Sequence, residues 1–167
     1  MPLNTAAQLI IEPATLDNLD DIERIEQRAY PFPWSRAVLR SAIRSDEAFS
    51  YFYVGRLPKA SDAPGMIIGY HHFWLVADEV HILNLAIDPA YQRQGYASQL
   101  LQFAIDFGQE RGACSAFLEV RTSNTAAQQL YAHFGFEQID TRTAYYADNK
   151  EDAYVFKKWF EEKGSEE

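Results

Sequence analysis

The run EVHILNLAI, Glu79 to Ile87, has the aliphatic density of a strand, and shortly after it the hydrophobic period changes. Leu100, Leu101, Ala104, Ile105 and Phe107 recur at helical spacing, Gly108 and Gly112 are expected to end that helix, and SAFLEV follows at once as another strand. A strand, a helix and a strand in that order imply a crossover with parallel partners, so the chain must contain an α/β unit. Between the first strand and the helix, DPAYQRQGYA stops the apolar run and passes through Gly95. A strand re-entering as a helix leaves first-turn N–H groups without intrahelical partners, and a residue lacking a side chain lets an anion approach them. By its residues alone, Gly95 fits either phosphate binding or a helix entered through glycine for packing.

The remaining chain supplies antiparallel neighbours. Leu9, Ile10 and Ile11 suggest a first strand ended by Pro13 and Ala14. Thr15 is placed to cap a helix carrying Leu19, Ile22 and Ile25. YPFPWS breaks that helix because each proline restricts the residue before it, and Ser35 caps a short helix to about Arg44. FSYFYVGR and MIIGYHHFWLVA read as strands joined by the polar connector LPKASDAPG, and with EVHILNLAI they form a meander. A short helix from Asn124 to about Phe134 presents Ala127, Leu130 and Tyr131 on one face and stops at Gly135. FEQIDTRTAYY and DAYVFKKWF close the chain as a strand pair around ADNKE. The fold class is α/β.

At 167 residues and 47% hydrophobic content, one globular domain with a substantial core is expected. The net charge of -9 disfavours a general nucleic-acid binder and favours cationic partners. MPLNTAAQLIIEP has neither the basic start of a signal peptide nor a long apolar segment, so a cytoplasmic protein without membrane attachment is expected. Cys114, the sole cysteine, excludes an intrachain disulfide and reads as a small buried residue. His71 and His72 are adjacent on a strand and point to opposite faces. His81 and His133 lack a nearby cysteine or carboxylate pattern, so no metal site is expected.

QRQGYA, Gln92 to Ala97, resembles the acetyl-coenzyme-A signature of the GCN5-related N-acetyltransferases. RIEQRAYPFPWS, NLAIDPAYQRQGYA, LEVRTSNTAAQQLYAHFGF and AYYADNKEDAYV are similar, in order and spacing, to the ribosomal-protein-alanine N-acetyltransferases of the RimI type. The likeness runs from about Ile25 to Val155. It implies a single GNAT domain over residues 1–160 with a mixed, mostly antiparallel central sheet, a splayed strand pair and flanking helices. Residues 161–167 are expected to form an acidic, disordered tail.

The resemblance further implies acetyl-CoA as cosubstrate. It assigns backbone contacts with the acetyl and pantetheine portion to Leu85, Ala86 and Ile87. Pyrophosphate contacts fall to Arg93, Gln94, Gly95, Tyr96, Ala97 and Ser98, and a further coenzyme contact to Asn124. Glu119 matches the family's general base, although its residues alone equally fit a solvent-facing glutamate paired with Arg121. Tyr131 matches the general acid, although its position also suits a core tyrosine. Phe32, Trp34, Tyr145 and Tyr146 would border the substrate cleft.

The implied partner is a basic protein N-terminus, that of a free ribosomal protein, with no direct nucleic-acid or membrane contact. A small-molecule amine or a protein lysine is the alternative acceptor, and a non-catalytic coenzyme-binding module the alternative class. The sequence departs from the family pattern in its longer connector at 57–65, in AYYAD, and in its extended end.

Overall fold

The computed structural model describes residues 6–59 and 64–162. The expected longer connector at 57–65 therefore lies partly, and the expected acidic tail at 161–167 mostly, outside the described residues. In chain order the elements are β1 (Ile10–Pro13), α1 (Leu19–Ala29), α2 (Arg36–Arg44), β2 (Ser50–Arg56), β3 (Ile67–Val76) and β4 (Glu79–Ile87). They continue with α3 (Tyr96–Glu110), β5 (Ser115–Arg121), α4 (Thr125–His133), β6 (Glu137–Arg142) and β7 (Ala153–Trp159).

The strands follow the order β1-β2-β3-β4-β5-β7-β6. The β4–β5 pair is parallel, in register from Glu79↔Ser115 to Ile82↔Leu118, and α3 is its crossover. β7 is inserted between β5 and β6 and runs antiparallel to both. This is a mixed α/β sheet with one parallel pair, as the order of periods implies.

The chain divides into two compact units whose boundaries fall inside β3, β4 and α3. The first comprises residues up to Phe73 together with Asn84–Ala104. Its core gathers Leu19, Ile22 and Ile25 of α1, Leu39 of α2, and Phe52, Val54, Ile67, Tyr70 and Ala86 from the strands. Burying side chains such as Ile22 and Ile25 contributes about 1.5–3 kcal/mol each, which holds α1 to the sheet more firmly than helix propensity does. Ser35 Oγ accepts the Val38 N–H at 3.3 Å and starts α2 where expected. Thr15 does not start α1 directly. Its N–H donates to Asn18 Oδ1 at 2.9 Å across a single 3-10 turn, and the α-helix begins at Leu19.

The second unit comprises Trp74–Leu83 and the chain from Ile105. β5 alternates there, with Ala116, Leu118 and Val120 buried and Phe117, Glu119 and Arg121 on the other face. Three expectations change. Gly108 lies within α3 and does not end it, because it is a packing residue: an added Cβ would overlap Val80 Cγ2 on β4. Gly112, at φ 88°, makes the left-handed stop that the helix needs. Cys114 is exposed, at the turn into β5. β6 ends at Arg142, so Tyr145 and Tyr146 stand on the β6–β7 loop and not in a strand.

Gly108→Ala should lower the unfolding free energy by about 1–3 kcal/mol, since the clash with stiff, buried Val80 outweighs the ~1 kcal/mol gain in helix propensity. Chemical denaturation of the two proteins measures the difference.

Candidate active site

In the second unit, parallel register sets the candidate chemistry. His81 on β4 pairs with Phe117 on β5, and the two rings stack with centroids 4.2 Å apart. One pleat further along the same face, the Glu119 side chain is 9% exposed. His81 Nε2 lies 2.8 Å from Glu119 Oε2, and Arg142 Nη1 lies 3.2 Å from Oε1. With the carboxylate accepting at Oε2, His81 Nε2 is the atom that carries the bonding hydrogen.

Arg142 reaches Glu119 across β7. Arg121 and Arg142 both take Ala153 as their register partner, so only a methyl group stands between them on that face. Burial pushes the Glu119 carboxyl up, but the His81 hydrogen bond and charge and the Arg142 charge together hold it below the usual carboxylate range.

The pairing of Glu119 with Arg121 does not form. Arg121 turns instead to the β6–β7 loop, where it meets Asp148 and Glu151. His81 and Arg142 are the partners that sequence reasoning missed. His81 lies 38 residues from Glu119, and its only signal was an odd polar position inside a strand.

Tyr131 is buried on α4 and packs edge-on against Phe136 at 5.6 Å. Burial carries its phenol far above the ordinary tyrosine range, so it stays protonated. Asn124 caps α4 through its Oδ1, which accepts the Ala127 N–H at 3.2 Å. On the loop, Tyr145 is 44% exposed and Tyr146 half-buried, with their rings edge to face. Burial pushes the Tyr146 hydroxyl up to about 12 despite the nearby Arg121 charge.

In the first unit, β4 ends in the buried residues Leu85, Ala86 and Ile87. The Tyr30 hydroxyl donates to the Leu85 carbonyl, and Gln92 Nε2 donates to the Ile87 carbonyl at 3.0 Å. Arg93 and Gly95 both have positive φ, 61° and 89°, immediately before α3 starts at Tyr96. This loop feeds the N-terminus of a helix of 15 residues, whose first-turn N–H groups lack intrahelical partners. Glycine is required at 95 by its backbone angle and not by crowding, since an added Cβ would meet nothing nearer than Ala6 Cβ at 3.9 Å.

Phe32 is exposed, and Trp34 lies edge-on to His72 with centroids 6.0 Å apart. The Trp34 backbone N–H donates to buried Glu26 Oε1 at 2.9 Å, and Asn84 Nδ2 donates to Glu26 Oε2 at 3.1 Å. Burial raises the Glu26 carboxyl above its ordinary range, against the pull of these two bonds. His71 and His72 are both buried; His71 Nδ1 is 3.1 Å from the Leu100 carbonyl, and His72 Nε2 is 3.2 Å from Ser50 Oγ. Among the described residues no cluster of histidine, cysteine and carboxylate side chains is arranged to hold a metal ion, and no helix is long and apolar enough to cross a membrane.

Residues 19–136 match the model of the Acetyltransferase (GNAT) family. The chain is 38% identical over 133 residues to the [ribosomal protein bS18]-alanine N-acetyltransferase of Escherichia coli K12, covering 78% of this chain and 84% of that protein. The Haemophilus ducreyi enzyme of the same name is 36% identical over 137 residues, covering 82% and 88%. The crystal structure of the ribosomal-protein-S18-alanine N-acetyltransferase from Escherichia coli superposes with a TM-score of 0.77 at 32% identity, covering 95% of this chain and 98% of that one.

The His81 hydrogen bond and charge oppose the upward push of burial on Glu119, so His81→Ala should raise its carboxyl pKa. A pH titration of the Glu119 side-chain carbon resonance, in wild type and variant, reads the shift directly.

Proposed function

The chain belongs to the Acetyltransferase (GNAT) family and is an acetyl-CoA-dependent N-acetyltransferase, and from that premise we propose that it acetylates the N-terminal amine of a ribosomal protein. The observation that carries the reading is the nearly buried Glu119 carboxylate, held ionised between His81 and Arg142. The names of the bacterial relatives support the acceptor.

The α-amine suits this site energetically. With a pKa near ~8, losing its proton at pH 7 costs about 1.4 kcal/mol, whereas a lysine amine near ~10.4 costs about 4.6 kcal/mol. Glu119 alone is too weak a base to deprotonate a free ammonium group, because its carboxyl is held low. It serves as an anionic acceptor: as the neutral amine nitrogen bonds to the acetyl carbon, one of its two protons becomes acidic and passes to Glu119, and the other stays as the amide N–H. The N–C bond forms and the C–S bond breaks. Tyr131 keeps its proton at working pH and donates a hydrogen bond to the departing sulfur.

Acetyl-CoA supplies the activated acetyl group. The left-handed turns at Arg93 and Gly95 fit an anion, so Arg93, Gln94, Gly95, Tyr96, Ala97 and Ser98 are proposed to hold the pyrophosphate. Leu85, Ala86 and Ile87 are proposed for the pantetheine arm, with the Leu85 and Ile87 carbonyls already bonded within the chain. Asn124 contributes a coenzyme contact only through atoms that its cap of α4 leaves open. Phe32, Trp34, Tyr145 and Tyr146 are proposed as peptide contacts. Residues 1–160 form the catalytic domain in this reading. The partner is a basic, free ribosomal protein in the cytoplasm, attracted by the charge of -9.

Two basic peptides test the acceptor, one with a free N-terminal alanine and one N-terminally blocked and lysine-rich. Mass spectrometry should find acetyl groups on the first; equal or faster modification of the blocked peptide would establish a lysine acetyltransferase instead. Glu119→Gln should lower kcat by about 10²–10⁴ and leave acetyl-CoA affinity nearly intact. The deficit should hold steady between pH 6 and 9, because wild type and variant draw on the same neutral amine and Glu119, ionised throughout, takes a proton only as the N–C bond forms, which steady-state rates across that range will show.

A further inference from the structure

Loop 143–152, between β6 and β7, holds a conformation that its own sequence disfavours. Ala144 and Lys150, neither of them glycine, stand at φ 51° and 60° near its two ends. Left-handed backbone at side-chain-bearing residues persists only where the surroundings over-determine it. Part of the support is local: the Tyr146 N–H donates to the Glu151 carbonyl at 3.2 Å, the Lys150 N–H to the Tyr146 carbonyl at 2.8 Å, and the Ala144 N–H to Asp152 Oδ1 at 2.7 Å.

The rest comes from one side chain on β5. Arg121 Nη1 and Nη2 form a fork on Asp148, 3.1 Å to Oδ1 and 2.5 Å to Oδ2. Nη1 also reaches Asn149 Oδ1 at 3.1 Å and Glu151 Oε1 at 3.4 Å, while Arg121 Cζ lies 3.9 Å from the centre of the Tyr146 ring. A planar guanidinium can bond in its plane and stack on its face at once, which lysine cannot. Glu151 adds a second tie to the same strand end, its Oε2 accepting the Ser123 N–H at 2.8 Å. The Arg121 side chain is 18% exposed, and its bond to Glu151 is partly buried while those to Asp148 and Asn149 lie at the surface.

We infer that Arg121 is the positioning residue that shapes loop 143–152, and that through the placement of Tyr145 and Tyr146 it sets affinity for the peptide. The second half rests on the proposed role of the tyrosine pair. Arg121 touches neither acceptor nor coenzyme in this assignment. It stands two residues beyond Glu119 on the same face of β5, so one strand aligns both the carboxylate and the loop. The Arg121 bond also lowers the Asp148 carboxyl below its ordinary range, and Glu151 is lowered to about 2, first by its Ser123 bonds. The latch therefore stays ionised at any pH where the amine reacts.

The test compares Arg121→Lys, Arg121→Ala and Asp148→Asn in the full chain. Hydrogen exchange of amides 144–151 should speed at least tenfold in Arg121→Ala, less in Arg121→Lys, with amides of β5 and β7 unchanged. In steady state, KM for the free-N-terminal alanine peptide should rise about tenfold while KM for acetyl-CoA is unchanged and kcat falls less than threefold. Asp148→Asn should reproduce the direction of both effects even if Arg121→Ala folds poorly. Unchanged exchange in the loop of folded variants would overturn the latch. Faster exchange with unchanged peptide KM would overturn the link to peptide affinity and, with it, the tyrosine contacts. If the wild-type protein acetylates no peptide, the substrate reading fails on its own, and the exchange measurement still decides the latch.

Discussion

Strand β4 carries the constraint on which the rest of the structure depends. Its first four residues pair in parallel with β5, and parallel pairing demands a crossover, which α3 provides. The crossover packs tightly enough that Gly108 has no room for a side chain against Val80. The far end of β4 is gripped by α1. Asn84 bonds Glu26, the Leu85 carbonyl takes the Tyr30 hydroxyl, and Asp88 is 2% exposed against Arg24 and Arg28 at 3.3 and 2.9 Å. A nearly buried aspartate with two guanidinium partners is expensive to disrupt, because losing either side leaves uncompensated charge in low dielectric. The strand that leads into the left-handed loop at Arg93 and Gly95 is thus positioned by side chains rather than by its ladder alone.

Electrostatics explain why an acidic protein presents its chemistry in a cationic setting. The chain carries -9 overall, yet Glu119 is flanked by His81 and Arg142, and Arg121 follows on the same strand. Net charge acts on approaching charged molecules over distances near the Debye length. Local charge governs protonation, since a carboxylate nearly removed from water stays ionised only beside cations. A hollow of about 320 Å³ lined by Trp74, Glu79, His81 and Phe117 adjoins the same histidine, so the ring that steadies Glu119 is itself walled by aromatic surface.

The sequence by itself determined what depends on neighbours within one or two turns. The caps at Ser35 and Asn124, the stops at Gly112 and Gly135, the strand EVHILNLAI and the alternating face of β5 are all local, set by side-chain reach and backbone angle. The turn before α3 was legible for a related reason: Gly95 at φ 89° takes a backbone angle that favours glycine at that one place in the chain. Gly108 misled because the same residue serves as a helix stop and as a close-packing site, and only its neighbour decides which. Tertiary structure alone decided the electrostatic partners of the site. His81 meets Glu119 across 38 residues, Arg121 meets Asp148 across 27, and Arg142 meets Glu119 over a methyl group, each because strand register brought them to one face. Register is a property of paired strands and not of either strand's sequence, so Glu119 and Arg121, which look like partners two residues apart, are drawn to different ones.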